Sequence, residues 1–342
     1  PTRLAEHAIE RLETVGRRLN AVVTITRGLA LAQARQAEQE LAAGHDRGPL
    51  HGIPYGAKDL LATAGIPTSW GAAPFKDQVF DQDAAVIERL REAGAVLVAK
   101  LAMVECAGGF GYEQPNAAFT GPGKSAWNED AWSGGSSSGS GSAVGAGCVP
   151  FAIGSETWGS ILTPSTFNGV TGLRPTYGRV SRRGAMALSW TMDKLGPMAH
   201  TADDCWVVLA AIAGPDPGDP TTTDRALPLP FPVEEYGGGW IGYTPYVRAD
   251  PQEHFRFAVL RGATGRAQPD VAANFAASLD VLRELGTLDE VELPDLPWDA
   301  AASVVVIAEG TSAFEEFITS GDCAGLTAPE DHVGLYHGLT LP

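Results

Sequence analysis

Residues 132–147, WSGGSSSGSGSAVGAG, decide the fold, because their composition is compatible with two opposite structures. Residues 133–142 are only serine and glycine, a composition typical of a flexible linker. The flanks are apolar, however, and Trp132 and Val144 favour a packed segment. Residues 213–225, rich in proline, glycine and aspartate, are the better candidate for a surface linker. We therefore predict that residues 133–142, the Gly/Ser tract, are packed, with a flexible hinge as the alternative.

Helical patterns alternate with short apolar runs on both sides of the tract. Residues 83–93 are predicted to form a helix that ends at Gly94, and AVLVAK at 95–100 reads as a buried strand. This order of helix, glycine and strand predicts an α/β fold. Beyond the linker, a helix is predicted at 269–286, with strands near WIGYTP and EVELP and a further helix within 299–318.

Composition excludes several classes of function. The net charge is −17 and there is no basic stripe, so direct binding to nucleic acid or to an anionic membrane is not expected. No apolar run reaches the ~18–20 residues of a membrane span. The cysteines form no metal-binding motif, so neither a metal nor another cofactor is predicted, and a cytoplasmic location is expected. The chain starts at Pro1, which leaves a removed leader open, and a homodimer is compatible with the sequence.

Two familiar motifs fit poorly. Residues 135–139 match Gly-x-Ser-x-Gly, but the serine-hydrolase elbow needs a preceding strand, and GKSAWNEDAW is a poor one. Residues 118–125, AFTGPGKS, resemble a phosphate-binding loop. That loop requires glycine where Ala118 stands, and Pro122 removes a backbone N–H group that would face the phosphate.

A third arrangement combines a serine with a distant lysine. The small-residue turn at 157–160 can direct consecutive backbone N–H groups at an oxyanion, and Ser160 ends that turn. A lysine can act as the base in such sites. Lys58 lies in the apolar segment GIPYGAKD, where the alternative is a surface lysine whose stem covers apolar neighbours.

Four blocks occur in an order and spacing that identify a family: GIPYGAKDL (52–60), WSGGSSSGSGSAVGAG (132–147), GSETWGSILTPS (154–165) and the segment 169–204. With them the chain resembles the amidase signature family of amide hydrolases, strongly over residues 1–215. The resemblance implies an α/β fold: a single α/β/α domain over 1–342, with a central twisted mixed sheet flanked by helices. The chain ends earlier than family members usually do.

The resemblance also implies a set of site residues. The catalytic triad falls on Lys58, on Ser136 next to a cis peptide bond, and on the nucleophile Ser160. The oxyanion would be held by the N–H groups of Thr157, Trp158, Gly159 and Ser160. Support for the site is expected from Ser137 and Asp193. Contacts to substrate are expected from Met103, Gly108, Gly109, Phe110 and Trp158.

The nucleophile loop departs from the family pattern. Ser155, Glu156 and Trp158 replace the usual Thr, Asp and Gly, and His200 stands where arginine is common. Leu162 occupies the position of an arginine that usually braces the loop. The sequence therefore offers no arginine at this position for the usual bracing ion pair.

The resemblance implies hydrolysis of a carbon–nitrogen bond through an acyl-enzyme. We expect a small aryl or alkyl amide as substrate, with carbamates as an extension. One alternative is a glutaminase-type A subunit of a tRNA-dependent amidotransferase, which would leave tRNA binding to partner subunits. A second alternative is a non-enzymatic binding module with a Gly/Ser hinge.

Overall fold

The computed structural model describes residues 1–108, 117–225, 235–236, 240–241 and 255–328. The chain divides into two compact units. The larger comprises Pro1–Pro228 and Ala302–Pro342, and the smaller comprises Leu229–Ala301. The single amidase signature domain over 1–342 stays a prediction. So does the linker at 213–225, which lies in the larger unit.

Nine helices occur in the described residues: α1 Thr2–Arg11, α2 Arg27–Ala42, α3 Ala85–Glu92, α4 Ser138–Gly145, α5 Leu162–Asn168, α6 Ala202–Ile212, α7 Pro269–Leu285, α8 Trp298–Ala313 and α9 Glu315–Thr319. A π-helical turn at Leu12–Gly16 continues α1. The predicted helix at 83–93 corresponds to α3. The chain leaves this helix through Gly94, whose φ of +78° favours glycine.

A six-stranded sheet forms the centre of the larger unit. Its strands are β1 Val22–Ile25, β2 Pro54–Lys58, β3 Val96–Leu101, β4 Phe151–Glu156, β5 Thr171–Gly172 and β6 Lys194–Ala199. Their spatial order is β1-β3-β2-β4-β6-β5. The central strand β2 is parallel to β3 and β4, whereas the three outer pairs are antiparallel. This mixed sheet confirms the predicted fold class.

Helices cover both faces of the sheet. Leu97 of β3 belongs to a hydrophobic cluster that includes α3 and α6. Its neighbours Val96 and Val98 belong to a second cluster that includes α1, α2 and α4. Because side chains alternate between the faces of a strand, β3 is buried on both faces, as its continuous apolar sequence predicts.

The Gly/Ser tract is buried throughout, and α4 begins within it. A Cβ atom on Gly139 would lie 2.3 Å from the carbonyl oxygen of Ala21, so only glycine fits there. The hydroxyls of Ser140 and Ser142 donate to the carbonyls of Ile153 (3.2 Å) and Lys124 (2.6 Å). The tract is thus a tightly packed core segment, and the flexible-hinge alternative is wrong.

A buried ion pair lies beside the central strands. The Lys100 ammonium on β3 is 3.1 Å from Asp59 Oδ1, and both side chains are fully buried. Lys100 also donates to Thr68 Oγ1 at 2.7 Å. The other oxygen of Asp59, Oδ2, accepts from the Ser69 N–H at 2.8 Å and from the Ser69 hydroxyl. Because both side chains are fully buried, each charge depends on the other for its stabilisation.

Replacing Lys100 with methionine should lower the free energy of unfolding by about 3–5 kcal/mol, because Asp59 would keep a buried charge without its counterion. Urea unfolding followed by tryptophan fluorescence measures this change. Lys76→Met, at an exposed position, is the matched control and should change stability by less than ~0.5 kcal/mol. A similarly small change in Lys100→Met would contradict the prediction.

The smaller unit contains two short sheets in its described residues. Strands β7 Glu235–Tyr236 and β8 Trp240–Ile241 pair antiparallel. Strands β9 Phe255–Leu260 and β10 Gly286–Val291 pair in parallel, with α7 between them in the chain. The predicted helix at 269–286 is therefore confirmed. No helix in the described part of the chain is long and apolar enough to span a membrane.

Candidate active site

The three segments that carry the predicted triad lie at one edge of the sheet. Lys58 ends β2, and Ser160 follows the parallel strand β4, so both lie at the carboxyl ends of neighbouring strands. This is the edge at which α/β proteins usually bind ligands. Lys58 Nζ lies 2.7 Å from Ser136 Oγ, and the Ser137 N–H donates to the carbonyl of Ser160 at 3.3 Å. The structure thus brings all three segments together.

Lys58 is fully buried and carries two hydroxyl contacts. Besides Ser136, its Nζ donates to Ser155 Oγ at 2.9 Å. Burial lowers the pKa of Lys58 to about 7, because the charged ammonium loses its hydration, while the charges of Asp193 and Glu156 partly oppose this shift. A large fraction of Lys58 is therefore neutral near pH 7 and can accept a proton from a hydroxyl. The sequence did not single out Ser155 as a partner of Lys58.

Ser136 and Ser137 are held by backbone contacts. The peptide bond between Gly135 and Ser136 is cis. The Ser136 carbonyl accepts from the Val104 N–H at 3.0 Å. Ser137 Oγ donates to the carbonyl of Ser155 at 3.1 Å and accepts from its N–H at 3.3 Å, so Ser137 fastens this segment to β4. The supporting role of Ser137 stays a prediction.

The loop before Ser160 turns at Gly159, whose φ of +103° disfavours other residues. Ser160 and Thr157 are buried, whereas the Trp158 side chain is 52% exposed. Burial raises the pKa of the Glu156 carboxyl, but hydrogen bonds from the Leu162 and Ile161 N–H groups and from Arg174 outweigh this effect and hold the pKa below its usual value. The predicted oxyanion role of these N–H groups stays a prediction.

Glu156 braces the nucleophile loop. One oxygen, Oε2, accepts from the N–H groups of Ile161 (2.8 Å) and Leu162 (3.0 Å). The other, Oε1, accepts from Arg174 Nη1 at 2.9 Å. Leu162 cannot form the usual ion pair, and Arg174 supplies a cation to this carboxylate from a later segment instead. The one feature of the sequence that could have indicated this ion pair is that Arg174 stands alone in the otherwise uncharged segment GVTGLRPT.

Thr157 is held by Lys194, the first residue of β6, and by Asp193, the residue before it. Thr157 Oγ1 donates to Asp193 Oδ1 at 2.5 Å, and Lys194 Nζ donates to the Thr157 carbonyl at 3.0 Å. Asp193 Oδ2 accepts from the N–H groups of Leu188 (2.8 Å) and Ser189 (2.9 Å), while burial raises the pKa of this carboxyl. The supporting role of Asp193 stays a prediction, and Lys194 was not identified from the sequence.

A cavity of about 270 Å³ opens beside this site. Ser155 and Thr157 form one side of its wall, and Leu60, Met186 and Trp190 form other parts. Of the residues predicted to contact substrate, Met103 is fully buried, and neither Met103, Gly108 nor Trp158 lines this cavity. Gly109 and Phe110 lie outside the described residues. The five predicted substrate contacts stay predictions.

No group of histidine, cysteine, aspartate or glutamate suited to a metal ion occurs among the residues with described positions. Four cysteines, Cys106, Cys148, Cys205 and Cys323, are buried.

Known proteins can be aligned with almost the whole chain. The A subunit of the glutamyl-tRNA(Gln) amidotransferase of Methylococcus capsulatus is 40% identical over 317 residues, covering 92% of this chain and 62% of that protein. The corresponding A subunit of Moorella thermoacetica is 38% identical, covering 96% of this chain and 64% of that protein. The chain thus spans about three fifths of the length of the curated relatives it matches.

Solved structures agree with the fold. The peptide amidase of Stenotrophomonas maltophilia superposes with a TM-score of 0.78 at 33% identity, over 93% of this chain and 64% of that one. The glutamyl-tRNA(Gln) amidotransferase A subunit of Thermotoga maritima has a TM-score of 0.74 at 26% identity, over 99% of this chain and 70% of that one.

These comparisons correct one prediction and settle the family. The small aryl or alkyl amide hydrolase, predicted as the main function, is wrong, because the curated relatives at about 40% identity are named as A subunits of glutamyl-tRNA(Gln) amidotransferases. The family model described as Amidase matches residues 3–331. The chain therefore belongs to the amidase family, the amidase signature enzymes.

Proposed function

We propose that the chain is an A subunit of the glutamyl-tRNA(Gln) amidotransferase type, which hydrolyses the side-chain amide of glutamine, a linear amide, and supplies ammonia. The observation that supports this chemistry most directly is the 2.7 Å contact between the buried Lys58 Nζ and Ser136 Oγ. The choice of substrate rests on the curated relatives, eight of which share 37–44% identity and this name.

The proposed reaction begins with a proton relay. Neutral Lys58 takes the hydroxyl proton of Ser136, while Ser136 Oγ takes the hydroxyl proton of Ser160. Ser160 Oγ bonds to the Cδ atom of glutamine, and the carbonyl electron pair moves to the oxygen. Backbone N–H groups of the loop 157–160 stabilise this oxyanion.

The intermediate then breaks down in the usual order for acyl transfer. The C–N bond breaks as the proton returns through Ser136 to the nitrogen, and ammonia leaves. A water molecule, deprotonated through the same relay, attacks the acyl-enzyme and releases glutamate and free Ser160. None of these steps uses a metal or an organic cofactor.

The acidic charge of the chain is compatible with glutamine hydrolysis in this chain and tRNA binding by other subunits. With a net charge of −17, the chain has little means of neutralising tRNA phosphates, so we assign tRNA binding to partner subunits. Ammonia would then pass to a partner that carries the charged tRNA. A cytoplasmic location belongs to the same proposal, and a homodimer stays a prediction.

A substrate comparison tests the proposal. Ammonia release would be measured with the chain and glutamine, asparagine, benzamide or a carbamate, and repeated with amidotransferase partner subunits and glutamyl-tRNA. We expect glutamine to give the highest kcat/KM, and the partners to copurify with the chain. Hydrolysis of benzamide or the carbamate with no release from glutamine, with or without partners, would overturn the proposal.

The pH profile gives a separate prediction. Because the neutral amine of Lys58 is the base and its pKa is about 7, kcat/KM should rise about tenfold per pH unit below pH 6. It should be half-maximal near pH 7 and level off above pH 8. Initial rates in buffers of constant ionic strength measure this profile. A midpoint near the ordinary lysine pKa of ~10.4 would contradict the assignment.

A further inference from the structure

One lysine outside the triad contacts the nucleophile loop. Lys194 begins β6 and lies opposite Glu156 in the antiparallel pair of β6 with β4. Its Nζ donates to the carbonyl oxygen of Thr157 at 3.0 Å. Thr157 is the first residue of the loop whose N–H groups are proposed to hold the oxyanion.

The contact fixes the orientation of a whole peptide group. A trans peptide is planar, and its C=O and N–H bonds point in opposite directions. When the Thr157 oxygen is bound to Lys194, the N–H of Trp158 must point away from the Lys194 ammonium. The neighbouring bond from Thr157 Oγ1 to Asp193 limits rotation of the same residue from its side chain. Lys194 thus holds the Thr157 carbonyl, and Asp193 holds the Thr157 side chain.

The positive charge of Lys194, as well as the length of its side chain, affects the Thr157–Trp158 peptide. A charged donor on a carbonyl makes a stronger hydrogen bond than a neutral donor and polarises the peptide, so its N–H becomes a better donor. The charged neighbours of Lys194 are Glu156, Asp193 and Arg174. Among the described residues, neither of these two carboxylates nor any other lies within salt-bridge distance of Lys194 Nζ. The ammonium is directed at the loop carbonyl rather than paired with an acid.

We propose that Lys194 is a positioning residue that orients and polarises the Thr157–Trp158 peptide, so that the Trp158 N–H donates to the oxyanion formed on Ser160. This inference rests on the proposed function for the identity of the amide. The role of the peptide itself applies to any acyl group transferred to Ser160.

The test compares three variants at two lysines. Lys194→Met removes the donor, Lys194→Arg keeps a charged donor, and Lys124→Met is the control. Lys124 is also half-buried, and no described contact joins its side chain to the site. For each, the second-order rate of Ser160 labelling by a fluorophosphonate is measured by intact mass, because the phosphoryl oxygen of that probe occupies the oxyanion position. Steady-state kcat and KM for glutamine and the melting temperature complete the set.

We expect Lys194→Met to lower both the labelling rate and kcat by about 10- to 100-fold, less than the ~10²–10³-fold loss when an oxyanion donor is removed outright. KM should stay within about twofold, Lys194→Arg should recover most of the loss, and Lys124→Met should behave as wild type. Labelling of Lys194→Met at the wild-type rate would overturn the proposal. So would equal losses in Lys194→Met and Lys194→Arg.

Two further outcomes separate the possible failures. If Lys194→Met unfolds, Lys194→Gln is tested in its place. The neutral amide of glutamine keeps a hydrogen-bond donor, so we expect a labelling rate between those of the wild type and a variant without a donor. A wild-type labelling rate in Lys194→Gln would again refute the proposal. If wild-type Ser160 is labelled but glutamine is hydrolysed neither with nor without the partner subunits, the proposed function fails. The labelling series still decides the role of Lys194.

Discussion

Ser160→Ala should lower kcat for amide hydrolysis by about 10⁴- to 10⁶-fold, because it removes the atom that forms the acyl-enzyme. The residual rate would come from binding and from the loop N–H groups alone. The variant should fold normally, since the buried Ser160 contributes its carbonyl to the bond with the Ser137 N–H, and alanine retains that carbonyl. Ammonia release and intact-mass labelling measure the loss.

The control for Ser160→Ala is Ser320→Ala, at an exposed position that follows α9. It should leave both rate and labelling unchanged. Fluorophosphonate labelling that persists in Ser160→Ala would show that another serine is the nucleophile. Peptide mapping of the label would then identify that serine.

Lys58→Met should lower kcat by about 10²- to 10⁴-fold, because among the described residues no other basic side chain hydrogen-bonds to the Ser136 hydroxyl. Methionine has a similar length and suits the fully buried position, so the fold should be retained. Lys58→Arg should not restore activity, because a guanidinium stays charged and cannot accept the proton. The midpoint near pH 7 should disappear in both variants.

Lys76→Met serves as the matched control for Lys58→Met, because it makes the same replacement at an exposed lysine. Its rate and pH profile should equal those of the wild type. The base assignment would be wrong if Lys58→Met kept more than about a tenth of the wild-type kcat, or if its pH profile were unchanged.

The sequence predicted those parts of the fold that depend on local pattern. The run AVLVAK supplies most of β3, buried on both faces, and α3 before it ends at Glu92, two residues before the predicted Gly94. The contact between Lys58 and Ser136 joins residues 78 positions apart, and only the family resemblance suggested it. No periodicity or spacing in the chain encodes such a distance.

The missed interactions have a common physical origin. Arg174 replaces the arginine expected at 162, and Lys194 binds the Thr157 carbonyl. Both contacts depend on where long side chains reach after the sheet has formed, which composition does not reveal. The substrate was mispredicted for a related reason. The recognised motifs specify the acyl-transfer chemistry, which amide hydrolases and amidotransferase A subunits have in common, so the motifs do not select the substrate.

The Gly/Ser tract has a practical consequence for protein engineering. Low-complexity serine and glycine segments are the usual places to insert a tag, split a chain or relax a sequence during library design. Here Gly139 leaves no room for a methyl group, and an inserted residue would shift Ser136 relative to Lys58. The turn at Gly44 and His45 is the safer insertion site, since both residues are exposed and follow the end of α2. Repetitive composition in this chain marks the region that tolerates alteration least.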